Sequence, residues 1–351
     1  MNIILATVQV PFFRGGAEIL CANLQAQLLA RGHQVDTVAV PFKWYPAETL
    51  LQSMVSARML DLQEVNGQKV DLLIGLKFPA YYARHENKVM WLLHQHRQAY
   101  DLWNTPFGDI QNWPDAEWVR ETIWSADCRF LAEPRARYTI SRNVSDRLQK
   151  YNGLRSEPLY HPPSSYEKLG CQDWEPFIFY PSRITGMKRQ ELLVEAARYL
   201  KSNAHIVFAG SGNAVETEAL HKLVRRLGVE ARVRFEGYIT EHRKIELLSQ
   251  CSAVYFGAYD EDYGYVTLEA MFSAKPVLTF SDSGGALEFV QDGYNGYVLE
   301  ADARALAEKI DRLVTDRSLS QQLGRNGLKT MHEKRISWDH VIETLLGNGH
   351  A

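Results

Sequence analysis

The sequence predicts an α/β protein made of two domains, each built on a doubly wound parallel sheet. Apolar segments of strand length alternate with amphipathic helical segments, a pattern typical of parallel sheets covered by helices. The chain has 351 residues, more than the roughly 250–300 residues at which single cores stop growing. A segment rich in proline, serine and glycine, residues 161–173, interrupts the alternation, and we interpret it as the linker. The predicted domains are therefore residues 1–163 and 164–335, facing a central cleft.

The first predicted domain begins with a strand, a glycine turn and a helix. Gly15 and Gly16 form the turn, and the helical periodicity that follows ends at Gly32. The strands predicted from apolar runs are residues 2–8, 34–40, 70–76, 88–93 and 138–141.

The second domain repeats the same alternation. Its helices are predicted at residues 190–200 and 241–250 and after Gly284–Gly285 with Glu288 inside, and the tail of the chain adds two or three helices, the last from about Trp338. Its strands are predicted at residues 177–180, 205–209, 233–236, 253–256 and 276–278. Strands joined by helices in this way form an open parallel sheet, and ligands bind at the carboxyl ends of such strands.

The composition excludes several classes of protein. A formal net charge of −3 gives no general attraction to nucleic acid, so no nucleic-acid partner is expected. The chain starts without a basic leader, and no window approaches the ~18 apolar residues of a membrane span. We therefore expect a cytoplasmic protein. The cysteines are far apart, so neither a zinc site nor a disulfide framework is expected: Cys21, Cys128, Cys171 and Cys251.

The segment YDEDYGYVTLEAMFSAKPVLTF, residues 259–280, predicts a ligand site. Gly264 lies between a strand and a helix, so the backbone amides of residues 264–266 can approach a phosphate closely. Glu269 lies one turn inside that helix, where its carboxylate can accept hydrogen bonds from a ribose diol. Glu261 lies in the preceding loop and can face another polyol. Each glutamate alone also fits an ordinary solvated loop or a helix start, but together they predict a nucleotide-diphosphate sugar.

Other loops that follow predicted strands add candidate ligands. In YPSRITGMKRQ, Arg183 and Lys188 can clamp a diphosphate and stabilise it as a leaving group. In VFAGSGN, Gly210 and Gly212 permit close approach of a ligand, although they also suit any tight turn. In FEGYIT, the backbone around Tyr238 and Ile239 can read the edge of a base.

These elements, in this order, resemble family 4 of the retaining glycosyltransferases, which have the GT-B fold of two Rossmann-like domains. The likeness covers nearly the whole chain and is densest over residues 177–300. The family's Glu, seven residues, Glu signature corresponds to Glu261 and Glu269, with Tyr263 in place of the usual phenylalanine before the glycine. The family's Arg and Lys pair at the donor phosphates corresponds to Arg183 and Lys188. The resemblance places Tyr263, Gly264, Tyr265 and Val266 at the donor.

The resemblance also assigns roles outside this segment. The motif RGGAE, which begins at Arg14, corresponds to the family's glycine-rich loop, where Gly16 would approach the donor diphosphate. SWDHVIETLL resembles the family's last helix, which implies that residues 336–351 pack back on the first domain. A histidine beside the transferred sugar corresponds to His94 or His96 in VMWLLHQHR, and the position after the strand favours His94.

The first domain is then expected to bind the acceptor, a sugar or a lipid-linked oligosaccharide. Candidate contacts are His96, Arg97 and Trp103. Trp103 lies in a tryptophan-rich stretch whose rings can stack on sugars, although they fit ordinary packing equally well. The basic segment 129–155 fits either a solvated surface or peripheral contact with the inner membrane.

The resemblance implies transfer of a hexose from a UDP- or GDP-sugar with retention of configuration, in bacterial surface polysaccharide or glycolipid synthesis. Negative charge that grows on the departing phosphate would be stabilised by Arg183, Lys188 and the helix amides, so neither metal nor cofactor is expected. Asp260 and Asp262 form an Asp-x-Asp triplet of the kind that holds divalent metals elsewhere, but it overlaps the Glu261 signature and we discount it.

Three rival functions remain open from the sequence. A NAD-dependent oxidoreductase would use Gly15–Gly16 and Asp36, but the loop lacks the GxGxxG pattern and leaves Glu261 and Glu269 unexplained. Another GT-B enzyme, such as a sugar-nucleotide epimerase, would act without an acceptor. A non-catalytic sugar-nucleotide-binding protein would not need the complete set of charged residues.

Overall fold

The computed structural model describes residues 1–12 and 15–347, so Arg14 of the predicted glycine-rich loop lies outside the described residues. The chain divides into two compact units. Unit 1 comprises Met1–Ser164 and Ser337–Ala351, and unit 2 comprises Ser165–Ile336. The sequence predicts domain limits between residues 163 and 164 and between residues 335 and 336, each one residue before the corresponding limit of the two units.

Unit 1 is built on a six-stranded sheet in the order β2-β1-β5-β6-β7-β8. Every pairing in it is parallel. A small antiparallel hairpin, β3 with β4, stands outside the sheet. The strands are β1 Asn2–Gln9, β2 Gln34–Pro41, β3 Glu64–Val65, β4 Gln68–Lys69, β5 Leu72–Gly75, β6 Lys88–Leu92, β7 Ala136–Thr139 and β8 Glu157–Pro158.

Helices flank this sheet, and the last helix of the described chain belongs to the same unit. Trp338, at its start, meets Trp91 edge-on with ring centroids 6.4 Å apart, and Asp339 pairs with Arg31. The C-terminal helix therefore packs on unit 1. The helices of unit 1 are α1 Gly16–Ala30, α2 Ala47–Met59, α3 Ala116–Phe130, α4 Arg142–Asn152 and α11 Trp338–Leu346.

Unit 2 has a second six-stranded parallel sheet, in the order β11-β10-β9-β12-β13-β14. Its strands are β9 Glu175–Pro181, β10 His205–Ala209, β11 Val233–Phe235, β12 Cys251–Phe256, β13 Val277–Phe280 and β14 Gly296–Leu299. Its helices are α5 Gln190–Ala196, α6 Ala214–Leu227, α7 Glu241–Gln250, α8 Tyr265–Phe272, α9 Ala303–Thr315 and α10 Arg317–Glu333.

The burial of the strands explains why the sequence folds into covered parallel sheets. All residues of the central strands β6 and β12 are buried, because helices cover both faces of a parallel sheet and leave no solvated face. The edge strand β2 instead alternates between exposed and partly buried residues. The prediction of two doubly wound parallel sheets is therefore confirmed.

Some local predictions differ from the structure. The helix predicted after Gly284 is only a short 3-10 turn, Gly285–Glu288, and the Gly285 amide at its start donates to the carbonyl oxygen of Glu261 at 2.7 Å. The strand predicted at residues 138–141 ends at Thr139, since Ser141 caps α4 by accepting from the Val144 amide at 3.1 Å. The edge strand β14 was not predicted.

Two further points concern helices. The helix predicted at residues 190–200 ends at Ala196 and continues as a 3-10 turn, Ala197–Tyr199. Within the described residues, we find no helix that is both long and apolar enough to span a membrane.

Candidate active site

The carboxyl edge of the unit 2 sheet contains a point at which the strand order reverses. From β9 the chain proceeds to β10 and β11 on one side and then returns to β12 on the other. The loops after β9 and β12 therefore diverge, and open parallel sheets bind ligands in the crevice between such loops. The loop after β9 carries Arg183 and Lys188, and the loop after β12 carries Glu261 and Gly264.

An ion pair joins these two loops. The Nζ atom of Lys188 lies 2.6 Å from Oε2 of Glu261, and both side chains are mostly buried. A backbone bond runs parallel to it, from the Tyr259 amide to the carbonyl oxygen of Met187 at 2.9 Å. Arg183 is exposed in the same loop. The structure thus brings a predicted phosphate ligand and a predicted sugar ligand together at the reversal point.

The loop after β9 is also held from the sheet below it. The hydroxyl of Tyr180 donates to the carbonyl oxygen of Lys188, and that of Tyr255 donates to the carbonyl oxygen of Arg189, both at 2.9 Å. The Arg189 guanidinium makes a two-pronged ion pair with Asp282, at 2.8 and 2.6 Å. These contacts fix the path of the loop and with it the position of Lys188.

Gly264 is the residue that turns the second loop into α8. Its φ of +81° lies in the left-handed region, and a Cβ there would come within 3.1 Å of the Phe256 ring. Glycine is therefore required at the start of α8, where the first-turn amides and the helix dipole favour an anion. The Tyr263 side chain is buried and meets Phe289 edge-on, at 5.6 Å between centroids. The Tyr263 ring is therefore part of the packing beneath the loop.

Glu269 lies on α8 and is almost fully buried, with 6% exposure. Its Oε1 atom lies 2.6 Å from Nζ of Lys244 on α7. Burial raises the pKa of the Glu269 carboxyl, and the Lys244 ammonium opposes that shift. Tyr265 and Val266 lie in the first turn of the same helix and are partly buried, and burial raises the pKa of Tyr265.

The loops after β10 and β11 hold the remaining predicted donor residues. The Gly210 amide donates to the carbonyl oxygen of Gly237 at 2.7 Å, which joins the two loops. A Cβ at Gly210 or Gly212 would overlap backbone atoms of the loop after β9. Packing between loops therefore requires these glycines, whether or not a ligand approaches. Tyr238 is 87% exposed, and Ile239 is partly buried beside it.

In unit 1, the turn after β1 leads directly into α1, which begins at Gly16. The carboxylate of Glu18 accepts a hydrogen bond from the Gly15 amide at 2.7 Å. Glu18 also pairs with Lys77, which follows β5, at 3.5 Å. These contacts join the loops after β1 and β5, the neighbouring strands at which the order of the unit 1 sheet reverses.

The two candidate histidines follow β6 and have different surroundings. Nδ1 of His94 lies 2.6 Å from the carbonyl oxygen of Gln95. The His96 ring stacks on Phe78 at 5.2 Å between centroids. Burial, followed by the neighbouring charges of His94 and Lys77, lowers the pKa of His96 to about 3. His96 is therefore neutral at physiological pH.

The other predicted acceptor residues are engaged inside unit 1. The Arg97 guanidinium contacts Oδ2 of Asp101 through Nε at 2.8 Å and Nη2 at 2.5 Å. The Arg120 guanidinium lies 4.5 Å above the Trp103 ring. Their proposed contact with an acceptor remains a prediction.

The Asp-x-Asp triplet, Asp260 and Asp262, lies in the loop after β12. Within residues 1–12 and 15–347, no group of three or more His, Cys, Asp or Glu side chains is arranged to hold a metal ion. The Asp260 amide instead bonds to the carbonyl oxygen of Asp282 at 2.8 Å, so this stretch ties the loop after β12 to the loop after β13.

Known sequences resemble this chain both over unit 2 and over nearly its whole length. Residues 164–330, which contain the whole candidate site of unit 2, match the family model described as Glycosyl transferases group 1. The chain is also 31% identical to an uncharacterized glycosyltransferase of Methanocaldococcus jannaschii, over 98% of this chain and 96% of that protein. The chain belongs to the group 1 glycosyltransferases.

Solved structures of lower identity share the fold of this glycosyltransferase. Sucrose-phosphate synthase from Thermosynechococcus elongatus matches with a TM-score of 0.78 at 18% identity, over 99% of this chain and 97% of that one. HepE from Anabaena, solved with UDP-glucose, matches with a TM-score of 0.72 at 17% identity, over 99% of each chain. These likenesses confirm the predicted GT-B fold.

Sequence reasoning missed several charged residues of this glycosyltransferase. Lys244 is 25 positions before Glu269, and the only local signal is its spacing of three from Glu241, which predicts a pair within α7 alone. Asp282, the partner of Arg189, follows β13 and carries no motif. Only the packing of neighbouring strands and helices brings these pairs together.

Proposed function

We propose that this glycosyltransferase moves a hexose from a UDP- or GDP-sugar to a sugar or lipid-linked acceptor, with retention of configuration and without a metal ion. Unit 2 binds the donor in this proposal, and unit 1 binds the acceptor. The proposed pathway is the synthesis of a bacterial cell-surface polysaccharide or glycolipid.

The Lys188–Glu261 ion pair is the observation that carries the proposal. It places an ammonium and a carboxylate within 2.6 Å of each other, immediately before the start of α8. A diphosphate that binds at the amides of α8 would take the ammonium of Lys188 as a counter-ion, together with the exposed Arg183. Glu261, released from Lys188, would then accept hydrogen bonds from hexose hydroxyls.

The other residues complete a donor site of suitable chemistry. Glu269 would bind the ribose diol, Gly210 and Gly212 would allow close approach, and Tyr238 and Ile239 would border the base. The charge that develops on the departing phosphate would be stabilised by Lys188, Arg183 and the helix amides, which is the role that a metal ion plays in other transferases. HepE, solved with UDP-glucose, supports a nucleotide-sugar donor.

The assignments in unit 1 and the stereochemistry rest on the family resemblance. His94 is the proposed catalytic histidine beside the transferred sugar, and Gly16 the proposed contact to the diphosphate. Retention is proposed because the Glu261 to Glu269 segment resembles the signature of retaining enzymes.

Thermal denaturation in EDTA tests the donor site. A ligand at 100 times its Kd stabilises a protein by about 2.7 kcal/mol, which raises the melting temperature by a few degrees. We expect a shift with UDP or GDP and none with NAD. A shift with NAD alone would contradict the proposal. A shift with UDP or GDP that appears only when a divalent metal is added back would also contradict it.

A transfer assay tests the reaction. The chain is incubated with UDP-glucose or GDP-mannose and candidate sugar acceptors, and the anomeric configuration of the product is read by NMR. Inversion of configuration would refute the proposed stereochemistry, whereas epimerised donor formed without any acceptor would favour the epimerase reading.

A further inference from the structure

Lys244 is a partly buried cation that contacts Glu269, a residue of the proposed nucleotide site. Its Nζ atom lies 2.6 Å from Oε1 of Glu269 and 3.0 Å from Oε2 of Glu241. The Lys244 and Glu269 side chains are 18% and 8% exposed, whereas Glu241 is 46% exposed. The ammonium thus bridges one buried carboxylate on α8 and one outer carboxylate on its own helix, α7.

The charge of Glu269 depends on this contact. Burial raises the pKa of Glu269, and the charge and hydrogen bond of Lys244 lower it. A buried carboxyl without a cation nearby tends to hold its proton rather than remain an unpaired ion. Lys244 itself stays protonated, because Glu269 and Glu241 together outweigh the effect of its burial and raise its pKa.

The ionic state of Glu269 matters for a vicinal diol. An ionised carboxylate has only acceptor positions, so it can take hydrogen bonds from both hydroxyls of the diol. A protonated carboxyl carries a donor in one of those positions and loses the strength of charge-assisted bonds. The Glu269 carboxylate must also direct two of its lone pairs toward the two hydroxyls. The hydrogen bond from Lys244 to Oε1 fixes the plane of the carboxylate.

We propose that Lys244 is a positioning residue for nucleotide binding, which keeps Glu269 ionised and oriented toward the ribose hydroxyls. This inference rests on the proposed function, because it requires a donor ribose at Glu269. The competing explanation is that Lys244 only joins α7 to α8 and contributes stability.

A comparison of ribonucleotides with deoxyribonucleotides separates the two explanations. Calorimetry would measure Kd for UDP, GDP and their 2′-deoxy counterparts at pH 7 with the natural chain, Lys244→Met and Lys222→Met. Methionine keeps an unbranched apolar stem in place of lysine, and Lys222 is an exposed lysine on α6. Hydrogen bonds to charged groups contribute roughly 10-fold to 100-fold in affinity. We expect the natural chain and Lys222→Met to prefer the ribonucleotide by about that factor, and Lys244→Met to lose most of the preference.

The pH dependence gives a readout that a purely structural role would not change. In Lys244→Met the pKa of Glu269 is no longer lowered by the ammonium, so the preference for the ribonucleotide should be regained only as pH rises and the carboxyl ionises. In the natural chain, where the Lys244 ammonium opposes the effect of burial, the carboxyl should ionise at a lower pH and the preference should appear there. Titration of the phosphates cancels, because both nucleotides carry the same diphosphate. An equal preference in the two proteins at every pH would overturn the inference.

Further variants keep the result interpretable. If the natural chain and Glu269→Gln both bind ribo- and deoxynucleotides equally, the ribose assignment in the proposed function is wrong. If Glu269→Gln loses the preference but Lys244→Met retains it, only the role of Lys244 is wrong. Lys244→Met leaves a buried carboxyl unpaired and can fail to fold, but Lys244→Met with Glu269→Gln leaves no buried ion. That double variant should bind as Glu269→Gln does, and a further loss of affinity would show a separate role for Lys244.

Discussion

At the carboxyl edge of the unit 2 sheet, each predicted donor-site carboxylate has a lysine partner: Glu261 contacts Lys188, and Glu269 contacts Lys244. At the same edge of unit 1, the predicted acceptor residues are engaged differently. His96 stacks on an aromatic ring, Arg97 pairs with a carboxylate of its own segment, and Trp103 lies beneath a guanidinium.

The two edges therefore differ in the groups that they offer to a ligand. Unit 2 holds ions in pairs that a ligand can exchange, because a phosphate can replace a carboxylate as the partner of Lys188. Unit 1 also holds ion pairs, Arg97 with Asp101 and Glu18 with Lys77, but it adds aromatic rings at His96 and Trp103. The first arrangement suits a diphosphate, and the second suits an uncharged sugar.

Removal of the Lys188 ammonium should give the largest effect. With Lys188→Met we expect kcat/KM for donor turnover to fall by about 100-fold to 1000-fold, because a charge that stabilises the leaving group contributes roughly that much. The measurement is nucleoside diphosphate release from the donor sugar. Lys222→Met, an exposed lysine in the same unit, should retain activity. Equal activity in the two variants would remove the charge-exchange interpretation of the unit 2 edge.

Addition of a methyl group at Gly210 should have the next largest effect. The φ of Gly210 is +137°, and its Cβ would overlap the carbonyl oxygen of Ser182. Gly228 has a φ of +65° with nothing within 4 Å of its Cβ, so Gly228→Ala is a control that costs about 1 kcal/mol. Gly210→Ala should cost a further ~1–3 kcal/mol in the free energy of unfolding, and it should also weaken nucleotide binding.

Urea unfolding followed by tryptophan fluorescence would measure both variants. If Gly210→Ala were no less stable than the control, the loops after β9 and β10 would not be packed as described. If stability fell but nucleotide affinity did not, the loop packing would be separate from the donor site.

The sequence predicts local features of the chain better than it predicts contacts between distant residues. Most strands, their parallel pairing and the candidate residues of the unit 2 loops could be predicted, because apolar periodicity and glycine positions are local signals. The partners could not. Lys188 and Glu261 were both predicted, but their ion pair depends on the adjacency of β9 and β12. Similarly, Gly210 was predicted for ligand approach, whereas the structure shows that the Ser182 backbone already requires it.

Acid should destabilise unit 1 through its buried histidines. Burial lowers the pKa of His161 to about 4 and that of His96 to about 3, so the unfolded chain binds protons more readily than the folded one. Stability is then complete above about pH 6.5, the pKa of an unfolded histidine, and is lost as pH falls toward the folded pKa. Each such group contributes about 1.4 kcal/mol per pH unit within that window.

One buried carboxyl of unit 1 changes the stability of the fold with pH in the opposite direction. Burial raises the pKa of Asp127 to about 6 despite hydrogen bonds from three tyrosine hydroxyls, so this group favours the folded state at low pH.

His161→Phe removes one of the two buried histidines and should therefore flatten the fall of the melting temperature between pH 6.5 and 4. An unchanged pH profile would show that His161 is not neutral when folded.

The smallest expected effect separates the two edges most directly. Trp103→Leu removes a ring from the unit 1 edge and should leave the Kd for UDP or GDP within about twofold of the natural value, because single contacts outside a site change binding little. The KM for the acceptor should rise. A loss of nucleotide affinity, measured by calorimetry with Lys222→Met as a control, would contradict the division of roles.

The hydroxyls of Tyr180 and Tyr255 hold the carbonyl oxygens of Lys188 and Arg189. They fix the main chain of this loop and make no demand on its side chains. The route of the loop is thereby encoded in the strands, while its chemistry is encoded in the residues that project from it. A designer, or natural divergence, can therefore exchange side chains at positions 185–187 to suit another donor while the backbone that carries them stays in place.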